Sequence, residues 1–313
     1  MNIAEAFNAF LSNITLTSAQ SDDAKTKYTG VCTKLYSHYY EGEYNEGKKF
    51  LFGSYKTKTN IRPLDETQDV DVLFKIPQKT FDKYDAYTSN GQSALLQEVK
   101  DILKEKYTTT DTIKAWGKVV LVKFTKNHHN VELLPALELE DGTFKIPNSE
   151  NGGSWEIFDP RDEIKKFDES NQCTDGLTRD MAKMLKAWAH NTTSMSYKSC
   201  KRMDDIIGFL KENYTKGADG DDYDKIVFEF FDYMISRCDD SIKSYIQTAL
   251  DRATKALEYK DSDKPKEASE EWRKIFGSEF PAIKENPKKD SDAREIVKPV
   301  RPWLDLRPMK SNG

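Results

Sequence analysis

Cysteine is scarce in these 313 residues: the four present, Cys32, Cys173, Cys200 and Cys238, are scattered and form no Cys-x-x-Cys pair. A zinc ribbon and a disulfide framework both need paired spacing, so neither is expected, and a reducing cytosol suits the chain. An excess of positive charge is missing too. With 48 Lys and Arg against 53 Asp and Glu the formal net charge is −5, whereas a protein that coats duplex DNA or RNA presents a strongly basic footprint. Local basic patches remain compatible with that balance. The opening stretch "MNIAEAFNAFLSNITLTSAQSDD" has no basic leader and no continuous apolar run, so we expect neither a signal peptide nor a membrane span, and a cytoplasmic location. No internal repeat is found.

Core material, by contrast, is plentiful. Hydrophobic residues make up 37% of the chain, with 16 Phe and 15 Tyr, enough for one large core or for two lobes that share an interface. Ile3, Phe7, Phe10, Leu11 and Ile14 recur at helical spacing, as do Tyr28, Val31, Leu35 and Tyr39 after the capping-type cluster from Thr17 to Asp23. A short strand, "KKFLF", ends before Gly53. "VDVLFKI" then puts Val70, Val72, Phe74 and Ile76 on one face and Asp69 and Asp71 on the other. A helix around 94–107 precedes two β-rich runs, "IKAWGKVVLVKF" and "NVELLPALEL", which would extend the same sheet. After the Gly-rich loop "NSENGGSW" the periodicity turns helical over 177–189, 201–214, 223–238 and 244–259. The expected class is therefore α+β and bilobal. A mixed-sheet core with N-terminal helices occupies 1–155, a helical lobe 156–290, and an extended tail 291–313.

One stretch concentrates the chemistry. In "GSYKTKTNIRPLDETQDVDVLFKI" a Gly-Ser turn, Gly53 and Ser54, closes one apolar run, and two aspartates one residue apart open the next. The strand period of two points Asp69 and Asp71 the same way, so both carboxylates share one site, and adjacent anions repel unless a cation joins them. Two Mg²⁺ ions, or Mn²⁺ in their place, meet that need, because hard cations prefer carboxylate oxygens. A third carboxylate is expected from a neighbouring strand. Glu132 lies in an apolar β-run where a charge is costly unless it is paired or metal-bound. The Gly-Ser turn supplies backbone N–H groups and a hydroxyl for phosphate oxygens, so a triphosphate fits above the metals.

These residues, with "VELLPA" downstream, resemble the catalytic core of the polymerase-β-like nucleotidyltransferases. Within that group the chain is similar to the bacterial cyclic-oligonucleotide synthases of anti-phage signalling and to animal cyclic GMP-AMP synthase. The resemblance implies that Asp69, Asp71 and Glu132 are catalytic and metal-binding, and that Gly53 and Ser54 bind nucleotide. It also implies that Lys186 meets the donor triphosphate, with Ser196 and Tyr197 at the donor base; Lys183 competes with Lys186 one turn earlier. Substrates would be nucleoside triphosphates, ATP among them, and the product a cyclic di- or trinucleotide. The family's third ligand is usually aspartate, where this chain has Glu132, and the animal enzyme's zinc ribbon has no counterpart, so duplex DNA sensing is not implied. A linear transferase acting on RNA ends or on proteins, and an inactive nucleotide-binding module, are the alternatives.

Weaker signals are set aside. "ADGDDYD" near Asp219 lacks the glycine and closing glutamate of a calcium loop and is read as a solvated acidic turn. His128 and His129 are read as a surface turn, and Trp188 and Trp272 as lobe-packing residues. In the tail, Pro299, Pro302 and Pro308 disfavour helix, and the terminal Gly313 makes it a possible handle for C-terminal conjugation or a regulatory partner protein. Trp303 and Leu304 packed on a lobe are the plainer alternative.

Overall fold

Helices α1 (Ile3–Ile14) and α2 (Ser18–Tyr39) each start at a reciprocal cap. The Asn2 side chain accepts from the backbone N–H of Glu5 while the Glu5 carboxylate accepts from that of Asn2, and Thr17 and Gln20 repeat the arrangement. The computed structural model describes residues 1–64, 69–108, 112–124, 128–214 and 222–284. The chain continues through β1 (Lys49–Leu51), the short helix α3 (Gly53–Thr57), β2 (Asp69–Lys75), α4 (Gln78–Asp85) and α5 (Gly91–Lys106). Strands β3 (Ile113–Trp116), β4 (Val119–Val122) and β5 (Asn130–Glu138) follow. The sheet order is β1-β2-β5-β4-β3, with β2 parallel to β5 and the other neighbours antiparallel.

Alternation in β2 decides which way the aspartates face. Val70, Val72 and Phe74 join Val131 and Leu133 of β5 and Val31, Leu35, Leu95 and Val99 of α2 and α5 in one buried core. Each such side chain contributes roughly 1.5–3 kcal/mol by burial. A one-residue slip of β2 would carry Asp69 and Asp71 into that core, and the register is fixed by the cost. The opposite face carries a smaller cluster that includes Leu73, Leu134 and Phe144.

Two strands depart from the expected order of a sheet followed only by helices. β5 pairs at its end with β6 (Phe144–Asn148), and β6 pairs with β7 (Ser154–Phe158). The glycine-rich stretch is the turn of this hairpin, with Gly152 and Gly153 at φ of +91° and +89°, a conformation that glycine adopts without strain.

Helices α6 (Pro160–Cys173), α7 (Leu177–Asn191), α8 (Ser199–Asn213), α9 (Tyr223–Ile235), α10 (Asp240–Asp261) and α11 (Pro265–Phe276) make up the rest. They enclose a second core, and α1 belongs to it rather than to the sheet. Phe7 stands edge-on to Trp272 and to Phe280, each at 5.0 Å between ring centroids, and Phe10 lies 4.7 Å from Phe276. Trp188 and Trp272 are both buried here, matching their expected packing role. Residues Met1–Ile283 form one compact unit, and the sheet core and helical core within it give the expected bilobal α+β architecture. Among the described residues no helix is long and apolar enough to cross a membrane. The first part of the acidic stretch, 218–221, and the tail over 291–313 lie outside the described residues. The end of that stretch is not a solvated turn, since Tyr223 and Asp224 open α9 and the buried Asp224 carboxylate accepts from Lys260 Nζ at 2.6 Å.

Candidate active site

Asp69 and Asp71 open β2, and the parallel register sets Asp71 directly opposite Glu132 of β5. Residues opposite one another in a parallel pair project to the same face. All three carboxylates line a cleft of about 490 Å³, a size that suits a small-molecule ligand. Gly53 and Ser54 line it from the start of α3. Gly53 has a φ of +63°, and a Cβ at that position would collide with Oδ2 of Asp71. The glycine is thus demanded by the neighbouring carboxylate as well as by the backbone.

The far wall is helical. Ala182, Lys186 and Ala189 line the cleft from one face of α7 at spacings of four and three. Lys183, one turn away, is turned elsewhere: it is buried, and its Nζ donates to Thr15 Oγ1 at 3.0 Å. Of the two candidate lysines, Lys186 is the one at the cleft. Tyr197 lines the cleft with its ring largely buried, its hydroxyl donating to Oδ2 of Asp205 at 2.6 Å. Ser196 is exposed and is not brought to the cleft wall.

Electrostatics couple these groups. Burial pushes the Asp71 carboxyl up to about 7, Glu132 and Asp69 push it further the same way, and the Lys186 ammonium opposes them. Glu132 is raised above the usual carboxylate range by burial first and by Asp69 second. A divalent cation would reverse both effects, because it stabilises the ionised form that burial and like charge disfavour. Oxygen donors of this kind suit a hard cation. Among the described residues no three His, Cys, Asp or Glu side chains converge in a finished coordination sphere. The three carboxylates share the cleft without forming such a group.

Sequence reasoning missed the contribution of α6 and α8. Glu163 and Phe167 line the cleft from α6, and Cys200 and Arg202 from α8. The start of α6 was legible, since Asp159 caps it and Pro160 sits in its first turn, but which face meets the cleft depends on docking. The histidine pair needs a correction. His128 is exposed, with Nδ1 3.0 Å from Oδ2 of Asp23. His129 is fully buried instead of lying in a surface turn, and its ring nitrogens have no hydrogen-bond partner among the described residues. Burial pushes it down to about 4, and it packs against Tyr55 with 6.2 Å between ring centroids. Two identical residues adjacent in sequence, just before β5, thus meet opposite environments.

Comparison with known proteins adds a separate line of support. The domain family described as Second Messenger Oligonucleotide or Dinucleotide Synthetase matches residues 1–171. A probable cyclic nucleotide synthase of Bacillus cereus strain VD146 is 26% identical over 284 residues, covering 75% of this chain and 83% of that one. In structure, the Vibrio cholerae di-nucleotide cyclase superposes with a TM-score of 0.72 at 13% identity, over 90% of this chain and 97% of its own. CdnC of Escherichia coli MS115-1, determined with ATP, gives a TM-score of 0.66 at 17% identity, over 90% and 99%.

Proposed function

The chain belongs to the family of Second Messenger Oligonucleotide or Dinucleotide Synthetase domains, and from that premise we propose that Asp69, Asp71 and Glu132 form the centre at which it joins nucleoside triphosphates. As a member of the family it is a nucleotidyltransferase that makes a cyclic oligonucleotide second messenger. The observation that carries the assignment of the centre is the register of Asp71 opposite Glu132, on the face that looks toward Lys186.

When held by these three carboxylates, two Mg²⁺ ions, or Mn²⁺ in their place, supply Lewis acidity that eases ionisation of an acceptor ribose hydroxyl and neutralises departing pyrophosphate. The protein's own groups bind and orient. Lys186, near enough to Asp71 to oppose its upward shift, meets the negative charge of the triphosphate. Tyr197 offers an aromatic surface to a base, an interaction worth roughly 1–3 kcal/mol. In each transfer the acceptor oxygen bonds to the α-phosphorus of the donor, the hydroxyl proton leaves to solvent, and the bond to pyrophosphate breaks. A last transfer within the linear intermediate closes the ring. ATP is among the substrates, and the product serves as a signal in anti-phage defence, as the family implies.

The test is incubation of the purified protein with all four NTPs and Mg²⁺ or Mn²⁺, phosphatase treatment, and mass analysis of what survives. A phosphatase-resistant species with the mass of a cyclic di- or trinucleotide is expected. Linear, phosphatase-sensitive products alone would overturn cyclisation and favour a linear transferase.

A further inference from the structure

Tyr197 is held in a way that packing alone does not call for. It lies between α7 and α8, and the edge-on ring of Trp188, 6.3 Å away, covers part of it. Its hydroxyl donates to Oδ2 of Asp205 at 2.6 Å, while Oδ1 of the same carboxylate accepts from Lys201 Nζ at 2.5 Å. The Tyr197 carbonyl accepts from Nη1 of Arg202 at 3.1 Å, and the Arg202 guanidinium stands 5.7 Å from the ring centroid. Lys201, Arg202 and Asp205 fall within the first two turns of α8, and the pair at a spacing of four shares one helix face. A phenylalanine would fill the same apolar space. What the hydroxyl adds is a tether from the ring's far end to a carboxylate that does not itself line the cleft.

We propose that Asp205 is a positioning residue: it fixes the attitude of the Tyr197 ring at the cleft wall and thereby sets affinity for the nucleobase of the triphosphate. This rests on the reading above that Tyr197 meets a base. Stacking depends on the offset and tilt of the two rings, so a ring free to pivot loses contact without leaving its place. A hydrogen bond to an ionised acceptor is stronger and shorter than one to a neutral acceptor, so exchanging the carboxylate for its amide weakens the tether while preserving shape. Lys201 supports the arrangement by occupying the second oxygen, which keeps the carboxylate from turning away.

The experiment compares wild type with Asp205→Asn, Tyr197→Phe, the double variant and Tyr197→Ala. It measures KM and kcat for the NTP that the wild type uses, thermal stability, and binding of the tightest of the four α,β-methylene NTP analogues. Asp205→Asn and Tyr197→Phe should each raise KM about fivefold, the worth of one hydrogen bond, with kcat within about twofold of wild type. The double variant should be no worse than either single one, because both cut the same link. A raised KM in Tyr197→Ala with none in Asp205→Asn, or additive effects in the double variant, would overturn the positioning role and leave the stacking reading intact. Unchanged KM and analogue affinity in Tyr197→Ala would overturn the stacking reading itself, and the positioning role with it. A purely structural role would lower stability and the amount of active enzyme without moving KM, and analogue binding by the folded fraction detects that outcome.

Discussion

Asp71 and His129 are displaced from their ordinary titration ranges in ways that pull stability in opposite directions. In the unfolded chain Asp71 ionises near 3.8; in the fold, burial beside Glu132 and Asp69 delays ionisation to about 7. Between those values the folded state holds a proton the unfolded state has lost, so stability falls as pH rises through that window. His129 is the converse. Its ordinary value of 6.5 drops to about 4 on burial, so its contribution is full above 6.5 and is lost as pH falls toward 4. The opposing slopes overlap between about 4 and 6.5, and the wild type should look flatter there than either group alone would make it. In EDTA, Asp71→Asn should abolish the upper slope, gaining on wild type by on the order of 1–2 kcal/mol from pH 5 to pH 8 after allowance for solvent screening. The same variant should have no synthase activity with metal present. His129→Leu should resist acid better than wild type, and denaturant melts at pH 7 and pH 5 check both. A folded Asp71→Asn enzyme with substantial activity would remove Asp71 from the reaction centre.

Helix α7 shows how two similar side chains divide by their place on one element. Lys183 is buried against the end of α1, whereas Lys186 lines the cleft. Lys186→Ala should raise the KM for NTP about tenfold or more with little change in melting temperature, since a charge near polyphosphate acts in binding. Lys183→Ala should do the reverse, lowering the melting temperature by several degrees through a lost hydrogen bond and a cavity with KM unchanged. Kinetics beside thermal melts separates the two, and a stability loss confined to Lys186→Ala would reverse their roles. Sequence alone could not choose between residues three apart, because which of them meets the cleft follows from how α7 docks on α1. Strand β2 was legible because Val70, Val72 and Phe74 alternate with Asp69 and Asp71, although Leu73 is apolar on the other face. The β6–β7 hairpin was not, since β6 is five residues long and carries Pro147, which weakens any strand pattern. Gly53 was picked out for phosphate access, and its collision with Asp71 is a second reason that no linear reading exposes.

At the scale of the whole molecule, the first helix in sequence completes the last core in space. The carboxylate cleft was largely readable because Asp69, Asp71 and Glu132 lie on two paired strands. The partnership of α1 with α11 was not, because both helices show an apolar stripe and nothing local says which stripe meets which. Phe10→Ala should cost about 3–5 kcal/mol, and hydrogen exchange should show the loss in α7, α9 and α11 before the sheet strands. Uniform loss of protection across both cores would mean that they unfold as one.

The placement of α1 also matters while the chain is being made. Sheet strands and their covering helices emerge in an order that lets them pack as they appear, because all of their partners lie before α6. The stripe of Ile3, Phe7, Phe10 and Ile14 waits longer: its partners in α7 and α9 follow the sheet, and its aromatic partners Trp272, Phe276 and Phe280 come later still. On the ribosome α1 therefore carries a partly uncovered apolar face until the last helices of its core emerge, a face that a holding chaperone would recognise. The helical core can close fully only once α11 has emerged, so arrest just short of α11 should leave a sheet that resists protease better than α1 does.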